Sequence, residues 1–176
     1  WYEQEGIPTT YVPDDNFEQA LIDLGYDDVL DDYVVTDNIN SVTHLNVYNH
    51  SISDLTGIEA FTALDTLVCG FNQLTELDVS NNTALTQMSI GGNQLTSLDV
   101  SSNTALTYLD CHLNQITSLD LSSNTALTSL SCRHNALTEL DVSSCTALTL
   151  INGYGNQLTS LDVSNNTALT YLTCNN

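Results

Sequence analysis

The sequence predicts a solenoid of stacked coils with short parallel strands, and a strict internal repeat is the main observation behind this prediction. Five consecutive blocks of 21 residues follow one another without insertion over residues 62–166. A shorter block begins at Thr167, and a diverged block precedes the series over residues 41–61. Apolar residues alternate twice within each block. Such a period indicates an array in which each unit buries its apolar edge only against its neighbours.

The charge balance restricts the classes of partner. The chain carries 22 Asp and Glu residues against a single basic residue, Arg133, and its formal net charge is −21. Affinity for nucleic acid depends on Lys and Arg that neutralise phosphates, so the sequence argues against nucleic acid and against anionic membrane surfaces. No apolar run reaches the roughly 18 residues that a membrane-spanning helix needs. We interpret the acidity mainly as a source of solubility.

The residues before the repeats are expected to cover the first coil. Residues 1–12 show no periodicity and are predicted to be a flexible arm. Residues 13–40 are predicted to be an acidic cap that opens with a helix, because Asp15 is followed three residues later by Glu18 and Gly25 supplies a stop. One apolar face of this helix recurs at helical spacing and comprises Phe17, Leu21 and Leu24.

The acidic residues of the cap raise the alternative of a calcium site. Five aspartates fall between Tyr26 and Asn40, namely Asp27, Asp28, Asp31, Asp32 and Asp37. The loop that gives calcium its ordered oxygen ligands around a sharp glycine turn is absent from this segment. We therefore favour a solvated acidic surface over a calcium site.

Each full block contains the pattern L-x-x-L-x-C-x-x-N-x-L, which is the sequence signature of leucine-rich repeats. One block shows it as Leu106, Leu109, Cys111, Asn114 and Ile116. The alternation predicts a short strand with one buried face. The Asn is predicted to bond backbone groups of neighbouring coils that would otherwise be buried unpaired. The second half, L-T-S-L-D-V-S, predicts an extended return segment that a second Asn column turns into the next coil.

Four of the five cysteines occupy one column of the repeat, namely Cys69, Cys111, Cys132 and Cys174, where other coils carry Ile90 and Gly153. We predict buried free thiols, since Cys packs as a small hydrophobe and side chains of adjacent parallel strands run alongside each other rather than toward each other. Cys145 stands where other blocks carry Asn, and we interpret it as a tolerated substitution.

Over residues 13–176 the chain resembles the secreted, internalin-like leucine-rich repeat proteins of bacteria. The resemblance is carried by blocks such as LTSLDVSSNTALTYLDCHLNQ, by SISDLTGIEAFTAL before them and by VPDDNFEQALIDLG as a helical cap. It implies a curved, right-handed solenoid with its short parallel strands on the concave face and an extended, irregular convex side. It also implies export to the cell surface or medium and a binding or adhesion role without catalysis. Neither a C-terminal cap nor a sorting domain follows, and the chain begins at Trp1, so we expect a piece of a longer protein.

The coils differ from one another in only a few columns. The T-A-L-T and L-D-V-S portions barely change, whereas the outward positions of the short strand and the two positions after the Cys column vary from coil to coil. In a solenoid of this class these columns lie side by side on the concave sheet, about 4.8 Å apart per coil. Arg133, three of the four His and several aromatic residues fall there.

A concentration of Tyr, Arg and His is typical of an interface centre, so we predict a ligand-binding patch. It comprises Tyr108, Asp110, His112, Leu113, Arg133, His134, Asn152, Tyr154 and Tyr171. The alternative is neutral drift, with Asp110 paired to Arg133 only to satisfy charge. Drift should favour small polar residues, whereas the central coils carry rings and charge. The predicted ligand is a protein or a glycan, because Tyr suits both, and no cofactor is expected.

The face that does not vary carries one aspartate per coil, namely Asp78, Asp99, Asp120, Asp141 and Asp162. Like charges in this register repel by somewhat under about 1 kcal/mol per neighbouring pair in water. We expect each carboxylate to accept hydrogen bonds from the turn that follows it; a weak cation ladder is the alternative. Regular Thr columns raise a further alternative, binding of ice, which ranks lower because Thr83 and Thr86 are three residues apart and cannot share a strand face.

A catalytic interpretation can be assembled from Asp110, His112 and Ser131, but an open sheet face offers no enclosed pocket and no oxyanion donors. His112 and His134 alone fall short of a metal site. We therefore predict a non-enzymatic binding module that is secreted or held on the bacterial surface. We expect a monomer whose last coil, from Thr167 onward, frays or self-associates at its edge.

Overall fold

The structure is a computed structural model that describes residues 6–174, and its first elements form the cap. These are strand β1 (Thr9–Tyr11), helix α1 (Asp15–Asp23), strand β2 (Tyr33–Val35) and the short helix α2 (Thr36–Ile39). Strands β1 and β2 pair antiparallel, with Thr10 opposite Val34, and Val12 is fully buried. The prediction of a flexible arm is therefore wrong for residues 9–12, because strand pairing and the burial of Val12 hold them on the cap. Residues 1–5 lie outside the described residues.

Helix α1 forms where it was predicted, with one change at its start. Asp14 is the N-cap, and its Oδ1 accepts hydrogen bonds from two first-turn N–H groups at 3.0 Å. Glu18, which we expected to complete the cap, is fully buried. Its Oε1 instead accepts the N–H groups of Asp31 and Tyr33 at 3.0 Å. Gly25 follows the helix in the left-handed conformation, with φ at 80°. Glu18 thus holds the acidic loop against the helix.

The helix covers the edge of the first coil through one ring contact and one carboxylate. The rings of Phe17 and Phe61, both fully buried, have centroids 6.4 Å apart. Asp14 Oδ2 accepts the backbone N–H and the hydroxyl of Ser53, at 2.8 and 2.7 Å, and the N–H of Asp54. Burial raises the pKa of Asp14, but these hydrogen bonds outweigh it and hold the pKa below its ordinary value. Asp14 therefore joins the cap to the solenoid in its charged form.

Seven three-residue strands make the main sheet, and all of them run parallel in sequence order. They are β3 (His44–Asn46), β4 (Thr66–Val68), β5 (Gln87–Ser89), β6 (Tyr108–Asp110), β7 (Ser129–Ser131), β8 (Leu150–Asn152) and β9 (Tyr171–Thr173). From β4 onward the pairing advances by one repeat, so that Thr66 lies opposite Gln87 and Gln87 opposite Tyr108. The sheet register is thus the sequence repeat itself.

The core is a set of apolar columns that run along the stack. The middle residue of each strand from β3 to β8 is fully buried, whereas Leu172 of β9 is 41% exposed. The cysteine column lies next to it: Cys69, Cys111 and Cys132 are fully buried, and all five cysteines are free thiols. Burial raises the pKa of Cys69 to about 12. The prediction of buried thiols is confirmed for Cys69, Cys111 and Cys132, and burial raises their pKa so that they act as unreactive packing groups. Cys174, in the last coil, is only partly buried.

The first Asn column bonds neighbouring coils as predicted. Asn93 Nδ2 donates to the carbonyls of Ile90 and Cys69, at 2.9 and 3.1 Å. Its Oδ1 accepts the N–H of Leu74 at 3.0 Å. The same pattern recurs at Asn72, Asn114, Asn135 and Asn156. One side chain per coil thereby satisfies buried backbone groups on two coils.

The second Asn column works differently, and Cys145 replaces one member. Asn124 Nδ2 donates to the carbonyls of Val100 and Asn103, both at 3.0 Å, while its buried Oδ1 makes no hydrogen bond. At the equivalent place the Cys145 thiol lies 3.5 Å from the carbonyls of Leu121 and Asn124. A thiol is a weak donor, so it occupies the Asn position with the same geometry and longer contacts.

Candidate functional site

The columns that vary in sequence lie together on one outward side of the sheet. In β6 the middle residue, Leu109, is fully buried, whereas Tyr108 and Asp110 on either side of it are accessible. We call this side the variable face, defined as the first and third residues of strands β3–β9 together with the two positions that follow the buried Cys column. All nine residues of the predicted patch lie on it. Its strand positions place Tyr108 next to Ser129 and Asp110 next to Ser131.

A left-handed backbone conformation recurs at the end of the coils, and the repeat pattern did not predict it. The second position after the buried column has a positive φ in six coils, at Asn49, Phe71, Gly92, Leu113, His134 and Gly155. Backbone hydrogen bonds to the next coil hold it there, as from Leu113 N–H to the Arg133 carbonyl at 2.9 Å. This conformation is costly for a bulky residue. It turns the chain at the edge of the sheet and leaves Phe71 and Leu113 exposed.

Glycines make room for the rings at this edge. A Cβ on Gly91 would overlap the His112 imidazole, and a Cβ on Gly155 would lie 2.6 Å from His134 Nδ1. The Phe71 ring lies against Gly92 in the same way, with ring carbons 3.0 to 3.1 Å from the position of an added Cβ. The imidazole of His112 therefore leans toward the preceding coil, whereas that of His134 leans toward the following one.

The rings form two groups on the variable face. The first ring cluster joins Tyr48, Phe71 and His112, with centroid separations of 5.4 Å between Tyr48 and Phe71 and 6.0 Å between Phe71 and His112. The second ring cluster joins His134 and Tyr154, edge to face at 5.2 Å. Tyr48, Phe71 and Tyr154 remain 44 to 48% exposed. Rigid, exposed rings are well suited to packing against another molecule.

Sequence reasoning missed Tyr48 and Phe71 as candidates. They occupy the same two columns as His112 and Leu113, one or more coils earlier, but the predicted patch was centred on the later coils. The signal that could have found them is a glycine in the adjacent coil, Gly70 beside Tyr48 and Gly92 beside Phe71.

The charged groups of the variable face form one pair. His112 Nδ1 lies 2.7 Å from Asp110 Oδ1, and within residues 6–174 this is the only contact below 4 Å between a side-chain nitrogen of His or Arg and an acidic side chain. The pairing of Asp110 with Arg133 that the drift alternative assumed is therefore wrong. Burial and then the charge of Asp110 raise the pKa of Tyr108. Ser131, the third member of the catalytic interpretation, makes no hydrogen bond to Asp110 or His112.

The aspartate column on the opposite side is confirmed as a series of hydrogen-bonded turns. In every coil the Asp Oδ1 accepts the N–H of the Ser two residues later at 2.9 Å. Backbone and then side-chain hydrogen bonds from Ser122 lower the pKa of Asp120, and the Ser two residues later lowers the pKa of Asp99 and of Asp162 in the same order. For Asp78 and Asp141 the side-chain hydrogen bond from the following Ser lowers the pKa most, and the backbone one comes second. Within residues 6–174 no three His, Cys, Asp or Glu side chains converge into a metal site.

One of the Thr columns forms hydrogen bonds within the fold. Thr107, Thr128, Thr149 and Thr170 each donate their hydroxyl to the carbonyl of the equivalent Thr one coil earlier, at 2.9 to 3.1 Å. These hydroxyl protons are therefore used between coils. No helix in the described part of the chain is long and apolar enough to cross a bilayer.

No protein-family model matches the chain. Among curated proteins, internalin J of Listeria monocytogenes serotype 4b (strain F2365) is 42% identical over 73 residues, which are 42% of this chain and 8% of that protein. Among solved structures, the functional domain of InlJ from Listeria monocytogenes, described as including a cysteine ladder, has a TM-score of 0.58 at 33% identity. That match covers 96% of this chain and 48% of the InlJ chain.

Two further solved structures are similar. Internalin InlF from Listeria monocytogenes strain 4b F2365 has a TM-score of 0.70 at 26% identity and covers 77% of this chain and 42% of its own. A leucine-rich repeat protein of Leptospira interrogans has a TM-score of 0.71 at 22% identity, over 80% and 39% of the two chains, and supports the fold alone. The chain thus spans less than half the length of each relative. These similarities confirm that it resembles the internalin-like leucine-rich repeat proteins and shares their parallel-strand solenoid.

Proposed function

We propose that the chain is a non-enzymatic binding module that engages a protein through the variable face, the predicted concave side of the solenoid. The observation that carries this proposal is that, within the repeats, most sequence variation and the exposed rings lie on one side of an otherwise uniform scaffold. Its proposed contact residues are the predicted patch, extended by Tyr48 and Phe71. The internalin-like relatives support a protein-interaction or adhesion role.

Three features of the variable face favour a protein over a glycan. Phe71 and Leu113 are exposed without any polar atom of their own to bond a sugar hydroxyl. Rings fixed by the glycines lose little conformational entropy on binding, as is usual at protein interfaces. The surface is also open rather than a cleft that encloses a small ligand. Exposed Tyr rings can still stack on sugars, so the glycan remains an outcome for the test.

The alternative of ice or cation binding through the Thr and Asp columns receives less support. The Thr hydroxyls of one column donate to backbone carbonyls, and the Asp carboxylates accept from the following Ser. Both columns therefore have a role inside the scaffold. A thermal-hysteresis assay on the purified chain tests the ice alternative directly, and we expect no hysteresis.

The test of the proposed function is a binding screen against bacterial and host surface proteins and a glycan array, with three variants run beside the parent. Phe71→Ala and Tyr154→Ala each remove one exposed ring from the variable face, and we expect each to weaken binding to the captured partner at least tenfold. Tyr33→Ala is the matched control, because Tyr33 is also 49% exposed but lies on the cap. Equal binding by all three variants would place the site elsewhere.

We also propose that the module acts outside the cell as a monomer. The resemblance to internalin-like proteins supports export, and immunodetection in the medium and on intact cells is the measurement that checks it. Light scattering across a concentration series checks the oligomeric state. Growth of the apparent mass with concentration would point to pairing at the edge strand β9, whose Leu172 and Tyr171 are exposed.

A further inference from the structure

Arg133 is the only Lys or Arg in a chain with 22 acidic residues, yet its side chain has no hydrogen-bond or ion-pair partner within residues 6–174. It is partly buried on the variable face, one position after Cys132. Among the described residues its guanidinium makes no ion pair and no hydrogen bond, although a guanidinium carries five N–H donors. None of its nitrogens is among the fully buried polar atoms that lack a partner, so its N–H groups face solvent in the free chain. A solvent-facing guanidinium that no acidic group of residues 6–174 engages is free to bind an anionic acceptor of another molecule.

The neighbouring rings leave the space around Arg133 open. His112, in the same column one coil earlier, leans away over Gly91, and Asp110 holds it there at 2.7 Å. His134, the next residue in the chain, leans away over Gly155 toward Tyr154. In its column Arg133 therefore lies between His112, one coil earlier, and Tyr154, one coil later, with His134 as the next residue of its own coil. We call this position, between the two ring clusters, the gap.

Among residues 6–174 no carboxylate lies within 4 Å of the Arg133 guanidinium. Asp110 is the acidic residue of strand β6, but its Oδ1 is engaged by the ring and by the N–H of His112. Strands β7 and β8 offer only Ser129, Ser131 and Asn152 as polar neighbours. A carboxylate is the natural complement, because it accepts two parallel N–H bonds from one guanidinium. The charge of −21 on the whole chain repels a highly anionic ligand and leaves room for a single carboxylate.

We propose that Arg133 binds one Asp or Glu carboxylate of the protein partner, in the gap between His112 and His134. Leu113, 42% exposed, and Tyr154, 45% exposed, lie beside the gap and pack against the aliphatic stem of that side chain and its apolar neighbours. This proposal rests on the proposed function, since it names the anchor through which the variable face holds a protein.

The composition of the chain provides a clean reporter for the test. With one Arg and no Lys, the guanidinium Nε–H group gives a single nitrogen–proton correlation in an NMR spectrum. We would titrate it at constant ionic strength with N-acetylglutamyl methylamide and with the neutral isostere N-acetylglutaminyl methylamide. We expect a saturable shift with the glutamyl probe and none with the glutaminyl probe. The affinity should be at least fivefold tighter than that of the same guanidinium in the urea-unfolded chain.

Two further measurements decide whether the carboxylate belongs to a protein and whether Leu113 contributes to binding it. Glucuronate presents the same carboxylate on a sugar ring, and we expect it to bind at least threefold more weakly than the glutamyl probe; equal or tighter binding would overturn the assignment to a protein. Leu113→Ala should weaken the glutamyl probe at least twofold without unfolding the chain. Equal affinity in the folded and unfolded chains would overturn the proposal as a whole.

The inference can fail while the proposed function stands. Arg133→Gln keeps a polar side chain and part of its hydrogen bonding, and removes the charge. A partner that is lost with Phe71→Ala or Tyr154→Ala but binds Arg133→Gln as tightly as the parent would keep the variable face and discard the carboxylate anchor. We expect Arg133→Gln to weaken that partner at least tenfold, because truncating one member of a desolvated charge pair leaves the other unpaired.

Discussion

Glycines on the variable face matter because they lack a side chain, which leaves room for a ring from a neighbouring coil. Gly91 is not in the left-handed region, so an alanine fits its backbone conformation, but the space for a Cβ is filled by His112. Gly155 combines both constraints, since its φ is 70° and its Cβ would meet His134. These residues fix the direction of two imidazoles, and they thereby fix the width of the gap that contains Arg133.

We expect Gly91→Ala to destabilise the chain by about 1–3 kcal/mol, because the added methyl group overpacks against His112. The double variant Gly91→Ala with His112→Ala should recover most of that loss, since the clashing ring is gone. Urea unfolding measures both. Gly6→Ala is the control, because nothing lies within 4 Å of its Cβ position. A Gly91→Ala loss that persists without His112 would mean that the backbone, and not the ring, is the constraint.

Substitutions in the second Asn column are expected to lower the free energy of unfolding by different amounts. Asn124→Ala removes two N–H donations to buried carbonyls, and we expect a loss of about 2–4 kcal/mol in the free energy of unfolding, since each orphaned buried acceptor costs about 1–3 kcal/mol. Asn124→Cys should cost less, because Cys145 already places a thiol 3.5 Å from two carbonyls at the equivalent position. Equal losses for Ala and Cys would show that the thiol contributes only volume.

The elements of the fold differ in how far the sequence predicted them. The strand around Leu109 and the hydrogen bonds of Asn93 to the neighbouring coil were predicted, because both follow from the local pattern of the repeat, alternating apolar residues in one case and a constant position for the amide in the other. The pairing of residues 9–11 with β2 was not, because a single three-residue strand carries no periodicity and forms only when its partner is folded beside it. Glu18 was misassigned for a related reason: the backbone N–H groups that donate to its carboxylate lie 13 and 15 residues away along the chain, a distance that a local capping pattern does not include.

The Asp–Ser turns are expected to make part of the stability of the chain depend on pH. Hydrogen bonds from Ser122 lower the pKa of Asp120 in the folded chain below its unfolded value. A lowered folded pKa means that the stabilising contribution is complete above the unfolded value, near 3.8, and is lost as the pH falls through the folded one. We expect Ser122→Ala to raise the pKa of Asp120 part of the way back, because the backbone donor remains.

Carboxyl carbon NMR across an acid titration measures this shift. Asp141 is the internal control in the same variant, since its turn with Ser143 is untouched. A pKa of Asp120 that does not move in Ser122→Ala would assign the whole effect to the backbone N–H.

The last strand allows a second prediction at this scale. Leu172 of β9 is 41% exposed, whereas the equivalent Leu130 of β7 is fully buried. Local opening costs less where fewer apolar contacts are lost. We expect the amides from Thr167 onward to exchange with deuterium at least tenfold faster than those of β6 and β7. Protection equal to the central coils would mean that the edge is covered, for example by a second copy of the chain.

For the whole molecule, one sign of charge dominates. The formal net charge is −21, so the acidic side chains of the folded chain repel one another. Salt screens this repulsion, because the Debye length falls from about 30 Å at 0.01 M to about 10 Å at 0.1 M. We therefore expect the urea midpoint to rise between these salt concentrations in sodium chloride. Calcium chloride at matched ionic strength should give the same rise. A larger rise with calcium would support the alternative of a weak cation ladder along Asp78 to Asp162, and a fall with either salt would contradict the repulsion.

The sequence predicted which face of the solenoid carries the candidate site, but not how the side chains are arranged on that face. Column-by-column comparison of the coils located Tyr108, His112 and Arg133 on one side, because the strand period is fixed by the repeat. The direction in which each ring leans was not predictable, since it depends on whether the adjacent coil offers a glycine. The left-handed φ at Phe71 was also hidden, because that conformation follows from bonds to the next coil rather than from the residue itself.

The constant register of the stack has a consequence for the history of such a chain. Each coil from Thr62 onward meets its neighbours through equivalent bonds at an offset of 21 residues. A segment of that length can be deleted, duplicated or transposed, and the coils on either side still fit each other. Recombination between the near-identical stretches of the gene can therefore lengthen or shorten the protein in whole cassettes. Each exchange reassorts the surface side chains while the interior stays the same.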